Sequence, residues 1–177
     1  VSTRQGALGR KNISLSGIEA ASAFVNPASL TNGYDGLMSL SAGNYLSDIQ
    51  YGTAMYSWCG PTGSWAVGMQ YMDYGEFRRF DEYNQDQGTF TAKDMALSVI
   101  YNRPLSNHLH IGATLKPIFS AYERYTSYGL AVDLGLNYHL PEKYFYAGLV
   151  VRHLGSQLKG YYTDEKKQID NAKSADI

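Results

Sequence analysis

The chain has 177 residues, 18% of them charged, with a formal net charge of -1. That length fits one domain, the charge balance gives no electrostatic basis for binding nucleic acid, and no run approaches the ~20 apolar residues of a membrane-spanning helix. A single cysteine, Cys59, excludes an intrachain disulfide framework, and its internal position excludes it as an N-terminal lipid anchor in this chain.

The opening Val1-Ser2-Thr3-Arg4-Gln5 lacks an apolar signal core, which is compatible with a mature chain whose signal peptide has been removed. Residues 1–36 do not read as sheet. Residues 18–24 suggest a short helix with Ser16 as its N-cap. The helix ends at Val25-Asn26-Pro27, because the residue before a proline is pushed out of the helical region. Strands are expected over 37–162, with a polar tail at 163–177. The first covers 37–45 and the second 48–58, with Ile49, Tyr51, Thr53 and Met55 sharing a face. Gly60-Pro61-Thr62-Gly63 is a tight turn. Trp65, Val67, Met69 and Tyr71 then oppose Ala66, Gly68 and Gln70. Residues 76–91 read as a long polar loop. From Gly155 onward no further strand is expected.

Between 93 and 153 the alternation is sustained. Met95, Leu97, Val99 and Tyr101 oppose Asp94, Ser98 and Asn102. Leu109, Ile111, Ala113 and Leu115 oppose His110, Gly112, Thr114 and Lys116. Leu130, Val132, Leu134, Leu136 and Tyr138 oppose Ala131, Asp133, Gly135, Asn137 and His139. Phe145, Ala147, Leu149 and Val151 oppose Tyr146, Gly148 and Arg152. Period 2 with one apolar face means β-strands. The opposite face is small and polar, rather than rich in Lys, Glu and Thr as in a soluble sandwich. This suits an antiparallel transmembrane β-barrel, with Leu97, Val99, Leu134, Leu136, Leu149 and Val151 facing lipid. Short connections (60–63, 104–107, 141–143) alternate with longer ones (76–91, 121–127 and the segment after Gly155), the short turn between Tyr45 and Asp48 being the exception on the long-loop side. Aromatics gather at both strand ends: Trp58, Trp65, Tyr101, Tyr138 and Tyr144 at one, Tyr71, Tyr74, Tyr122, Tyr125 and Tyr128 at the other. About seven strands are expected, an odd number that leaves Leu37 and Arg152 on open edges. The remaining strands of the barrel are expected from sequence beyond this stretch.

Two features of the polar face carry further expectations. Gly68, Gly112, Gly135 and Gly148 all lie on it, and glycine inside a strand marks close approach of another backbone, here residues 18–30. Symmetric hairpins centred on 124/125 and on Glu142/Lys143 would set Lys116, Asp133 and Arg152 side by side as a charge row. No enzyme constellation emerges. His108, His110, His139 and His153 show no metal-ligand spacing, Gly6-Ala7-Leu8-Gly9 is no phosphate loop, and Asp81, Glu82 and Asp86 read as solvated charge rather than a calcium site. No catalytic residue, metal or cofactor is expected.

Val25-Asn26-Pro27-Ala28-Ser29-Leu30, after a short Ala-rich stretch, resembles the N-terminal hatch of the FadL-like outer-membrane barrels. Tyr45-Leu46-Ser47-Asp48-Ile49-Gln50-Tyr51-Gly52, Tyr71-Met72-Asp73-Tyr74-Gly75, Leu115-Lys116-Pro117-Ile118 and Asp133-Leu134-Gly135-Leu136 are similar to motifs of the PorV/FadL-like family that serves the type IX secretion system. The resemblance covers roughly residues 6–162 and departs at Lys166-Lys167-Gln168-Ile169-Asp170-Asn171-Ala172-Lys173. It implies a closed barrel in the Gram-negative outer membrane, with an internal hatch carrying Asn26, Pro27 and Ala28. It also implies a non-enzymatic anchor role in the cell-surface attachment complex, with PorV, the PorU sortase and PorZ as partners beside outer-membrane lipid. A FadL-type transporter of hydrophobic small molecules is the alternative. The charged lumen rows, with Lys116, Asp133 and Arg152, weigh against an apolar path. A soluble β-domain is the third reading.

Overall fold

The computed structural model describes residues 13–14, 20–44, 48–80, 83, 85–122 and 125–162. The expectations resting on Gly6–Gly9, Ser16, Ile18, Asp81, Glu82, the Lys166–Lys173 stretch and the 163–177 tail lie outside those residues.

Seven antiparallel strands form one sheet in sequence order: β1 (Leu37–Asn44), β2 (Gln50–Gly60), β3 (Gly63–Phe80), β4 (Asp86–Pro104), β5 (Leu109–Tyr122), β6 (Tyr125–Leu140) and β7 (Phe145–Tyr162). Each strand pairs only with its chain neighbours, so β1 and β7 are free edges and the sheet is not closed. The described residues contain no α-helix. The helix expected over 18–24 is a 3-10 turn, Ala20–Phe24, followed by two more, Pro27–Ser29 and Asn32–Tyr34. Pro27 explains the break. Its ring fixes the first position of the second turn, and Asn26 caps that turn, its Oδ1 accepting from the Ala28 amide at 2.9 Å.

The expected polar loop over 76–91 is mostly strand. β3 runs on to Phe80 and β4 begins at Asp86, pairing Glu76 with Thr91, Phe77 with Phe90 and Arg78 with Thr89. Both faces of this ribbon carry polar residues, so it lacks the one-sided apolar pattern by which a strand is recognised. A bulge of Tyr74 and Gly75 opposite Ala92 resets the register. Gly75 has φ +77, and its amide donates to Asp73 Oδ1 at 3.0 Å. Two further expectations are corrected. β7 continues past Gly155 to Tyr162, pairing Gly129 with Gln157 and Thr126 with Tyr162. The connection over 121–127 shrinks, because Tyr122 pairs with Tyr125. Long strands, rather than long loops, therefore distinguish the two ends of the sheet.

One face of the sheet is covered by the segment before β1. Ala20, Ala21, Ala23, Phe24 and Leu30 pack against Met55, Ala66 and Ile100 to form the only apolar cluster among the described residues. Among the described residues no element covers the opposite face. The β4–β5 ladder has one interruption: Ala96 pairs with Ile118 and Val99 with Leu115, while the residues between fall outside the paired run. Pro117 explains it, since it has no N–H to give to the ladder.

Candidate functional site

The covered face is built on glycine. A Cβ added at Gly68 would stand 2.5 Å from the Phe24 ring. At Gly112 it would stand 2.5 Å from the Ala28 nitrogen, at Gly135 2.9 Å from the Pro27 ring, and at Gly148 2.7 Å from the Ile13 carbonyl oxygen. Three of the four glycines thus meet the expected stretch, at Phe24 and Asn26–Ala28, while Gly148 meets Ile13, which lies before it. At Gly112 and Gly148 the approaching atoms are backbone and leave no room for a side chain, whereas at Gly68 they are the end of the Phe24 ring.

Hydrogen bonds hold the segment there. Asn26 is 1% exposed; its amide donates to the Ile13 carbonyl at 2.8 Å. Asn102 on β4 donates to the Pro27 carbonyl at 3.4 Å. Ser29 Oγ donates to the Asn26 carbonyl at 2.7 Å and contacts Ser22 Oγ at 2.9 Å. Nearer β1, Ser64 Oγ donates to Asn32 Oδ1 at 2.7 Å, Ser57 Oγ donates to the Tyr34 carbonyl at 2.5 Å, and the Cys59 amide donates to Asp35 Oδ1 at 2.7 Å. Asn26, Pro27 and Ala28 are therefore the docking point of the segment over β4, β5 and β6. Ser57, Ser64 and Asn102 are anchoring residues that the sequence reading did not single out. Their signal was present in the small polar character of that face, but Ser and Asn there look alike whether or not they meet a partner.

Lys116 and Asp133 form a buried ion pair, Nζ to Oδ2 at 2.6 Å, with side chains 6% and 2% exposed. They sit diagonally, since Lys116 lies opposite Ala131 and Thr114 opposite Asp133. The hairpin is centred between 123 and 124, one residue earlier than expected. Arg152 does not join them. The β6–β7 register shifts between Val132 and Leu134, so that Arg152 and His153 together face Asp133. His153 takes φ +57, and its amide donates to Asp133 Oδ1 at 2.8 Å, while Arg152 is exposed. The bulge substitutes a backbone N–H for the guanidinium. Asp133 thereby bridges both neighbouring strands. Elsewhere on this face Ser98 Oγ, both amide atoms of Asn137 and His139 Nε2 are buried without a hydrogen-bond partner. His110 Nδ1 lies 3.5 Å from Asn102 Oδ1. No group of three or more metal-ligating side chains that could hold an ion occurs among the described residues.

The bare face is apolar. Leu97, Val99, Leu134, Leu136, Leu149 and Val151 all lie on it, between 37% and 65% exposed. Aromatic residues flank this surface. Trp65 packs on Tyr101 at 4.4 Å and Tyr138 on Phe145 at 6.4 Å toward one end, and Phe119 packs on Tyr128 at 5.5 Å toward the other. Three of the expected flanking tyrosines, Tyr74, Tyr122 and Tyr125, belong to the covered face instead, Tyr125 being paired directly with Tyr122. Tyr74 donates to Asp94 at 2.8 Å. Tyr122 stacks beside Phe90 at 5.0 Å, in register with the row that buries Thr114. Tyr144 lies in the turn before β7 with φ +50, off the strands altogether. No helix of the described residues is long and apolar enough to cross a membrane, which says nothing of strands. No protein-family model matches the chain, and no curated protein matches it.

Proposed function

We propose that these strands are part of an outer-membrane β-barrel of the FadL-like type, with residues 20–34 lying inside as a hatch. The observation that carries this reading is the inversion of the strands: they bury Ser98, Asn102, Thr114, Lys116, Asp133 and Asn137 and expose Leu and Val. In water that arrangement is unfavourable by roughly 25 cal/mol per Å² of apolar surface left out; against lipid it is the stable one. The outer row of β6 from Tyr128 to Tyr138 runs about 34 Å along the strand, or about 26 Å at a tilt near 40°. A bilayer's apolar band on such barrels is ~25 Å tall. Open edges do not persist in hydrocarbon, where each unpaired backbone group costs several kcal/mol, so both β1 and β7 require pairing partners to close the wall.

Within that class we infer a non-enzymatic anchor in the attachment complex of the type IX secretion system. The support is the likeness of the motifs around Tyr45–Gly52, Tyr71–Gly75 and Asp133–Leu136 to those of PorQ, a relative of PorV. Partners would then be PorV, PorU and PorZ, and the compartment the Gram-negative outer membrane. Passage of hydrophobic molecules is disfavoured by the buried Lys116–Asp133 pair and by the segment that fills the glycine floor. Affinity purification from detergent-solubilised outer membrane, read by mass spectrometry, tests both levels. Co-recovery of the three partners is expected. Recovery from detergent without them would end the secretion role, and recovery in aqueous buffer without detergent would end the barrel.

A further inference from the structure

The covered face has a second floor almost without side chains, and no described residue fills it. On β6 and β7, Ala131 pairs with Gly155 and Gly129 with Gln157. The ladder itself explains Gly155, because a Cβ there would collide with the Leu130 carbonyl on β6. Nothing of the kind explains Gly129, where an added Cβ would meet no atom closer than 3.8 Å. Glycine weakens a strand and marks a place where a ligand or another backbone comes close. Over Gly129 lies an open groove of about 290 Å³, edged by Ile118 and Ser120 on β5 and by Ser127 and Gln157 on β6 and β7. Ser120 is two residues from the end of β5, so the groove opens at the end of the sheet opposite the short turns. The Pro27–Ser29 turn sits nearer the other end, over Gly112 and Gly135.

The docked segment shows how this face uses such a floor. At Gly112 the Pro27–Ala28 backbone lies directly on the glycine. The carbonyls of the segment are taken by side chains of the sheet, Pro27 by Asn102 and Tyr34 by Ser57. The groove over Gly129 repeats both parts. Ser127 is 7% exposed, and its Oγ accepts from Gln157 Nε2 at 2.6 Å, which ties the Gln157 side chain to β6. A carboxamide held by its nitrogen keeps its oxygen as an acceptor, and the Ser120 hydroxyl both donates and accepts. A peptide group brings one donor and one acceptor to such a pair. No Phe, Tyr or Trp lines the groove to offer a stacking face to a ring, and no Asp, Glu, Lys or Arg lines it to hold an ion. Its width is three strands, about 10 Å, the length of about three extended residues.

We propose that this groove receives an extended, uncharged stretch of about three small residues, presented by a partner protein from the end opposite the short turns. Its backbone lies against Gly129, and its amide groups bond to Ser120 and Gln157. The site is on the covered face, so it stands whatever medium meets the bare one.

The test is a titration of the isotope-labelled full chain, refolded in detergent, with acetyl-Gly-Ala-Ser-amide, followed by the amide resonances of Gly129, Ala131 and Gly155. These should shift and saturate with a Kd on the order of 1 mM. Binding of acetyl-Gly-Glu-Ser-amide should be about tenfold weaker, since its carboxylate finds no partner. Gly129→Val should remove saturation and leave thermal unfolding unchanged, because the new side chain enters open space. Gln157→Ala, at an exposed position, should weaken binding about threefold; if Gly129→Val does not refold, Gln157→Ala decides alone. No shift at the three amides, an equal response to glucose, or native binding by either variant would overturn the site. A chain that refolds without detergent overturns the membrane reading and leaves the groove to the same titration.

Discussion

Ser98 and Val99 are adjacent on β4, yet Ser98 is fully buried and Val99 is 42% exposed. The same reversal repeats on the next strands, where Lys116 and Asp133 are enclosed while Leu115 and Leu134 are open. On the covered face Asn26, the ion pair and the His153 bulge make local hydrogen bonds, while Ser98, Asn137 and His139 keep buried polar atoms without a partner. The bare face offers Leu and Val along its centre and keeps its Asp73–Lys93 pair to one end. The contrast teaches that one face is organised by hydrogen bonds to a docked segment, while the other leaves its apolar side chains without a covering element among the described residues.

The sharpest way to break the comparison is to unbalance the covered face. Asp133→Leu strands the Lys116 ammonium and is expected to cost about 3–5 kcal/mol. The Lys116→Met, Asp133→Leu double variant should recover most of that loss in guanidinium unfolding of the detergent-refolded protein. A double variant as unstable as Asp133→Leu alone would mean the two groups are not coupled. Next is the bare face. Val99→Arg should cost roughly 2–4 kcal/mol when assembly is measured in lipid; in a water-facing sheet an exposed substitution of this kind stays within about 0.5 kcal/mol. A null effect in vesicles would therefore remove the difference between the faces.

A smaller effect compares two glycines. Gly112→Val forces a side chain into the Pro27–Ala28 backbone and should cost roughly 1–3 kcal/mol. Gly52→Val meets nothing within 4 Å of the new Cβ and should be neutral or better. Thermal melts of the pair decide it; equal losses would mean that glycine is needed for the strand rather than for the segment. Smallest is Asn26→Ala, which removes the cap of the Pro27 turn and should cost about 1 kcal/mol. Its readout is faster proteolysis between residues 13 and 34 with the sheet intact, and unchanged cleavage would deny Asn26 its docking role.

The alternation of β4 to β7 was legible because each strand has one face of a single character, and period 2 needs no knowledge of partners. The glycine floor was legible for a related reason: glycines repeated on one face mark close approach, by backbone at Gly112 and Gly148 and by side chains at Gly68 and Gly135. The ribbon of Phe77 and Phe90 was hidden because polar residues occupy both of its faces, so no period can be seen. The charge row was only half readable. Hairpin symmetry assumes unbulged strands, and one extra residue at Arg152–His153 is invisible until the register is known. The diagonal placement of Lys116 shows the same sensitivity, since moving a turn centre by one residue shifts every cross-strand partner by two.

Pro117 has a consequence for cooperativity. It leaves a seam in the β4–β5 ladder beside Leu97 and Ser98, so the sheet has a natural line along which β1–β4 can part from β5–β7. The Pro27–Ser29 turn meets Gly112 and Gly135 on β5 and β6, while Asn102 grips the same turn from β4. A segment with almost no regular structure of its own thus spans the seam and fastens the two halves. Amide exchange should report one opening transition for the whole sheet while it is docked. When docking is weakened there should be two, with β5–β7 exchanging on their own schedule.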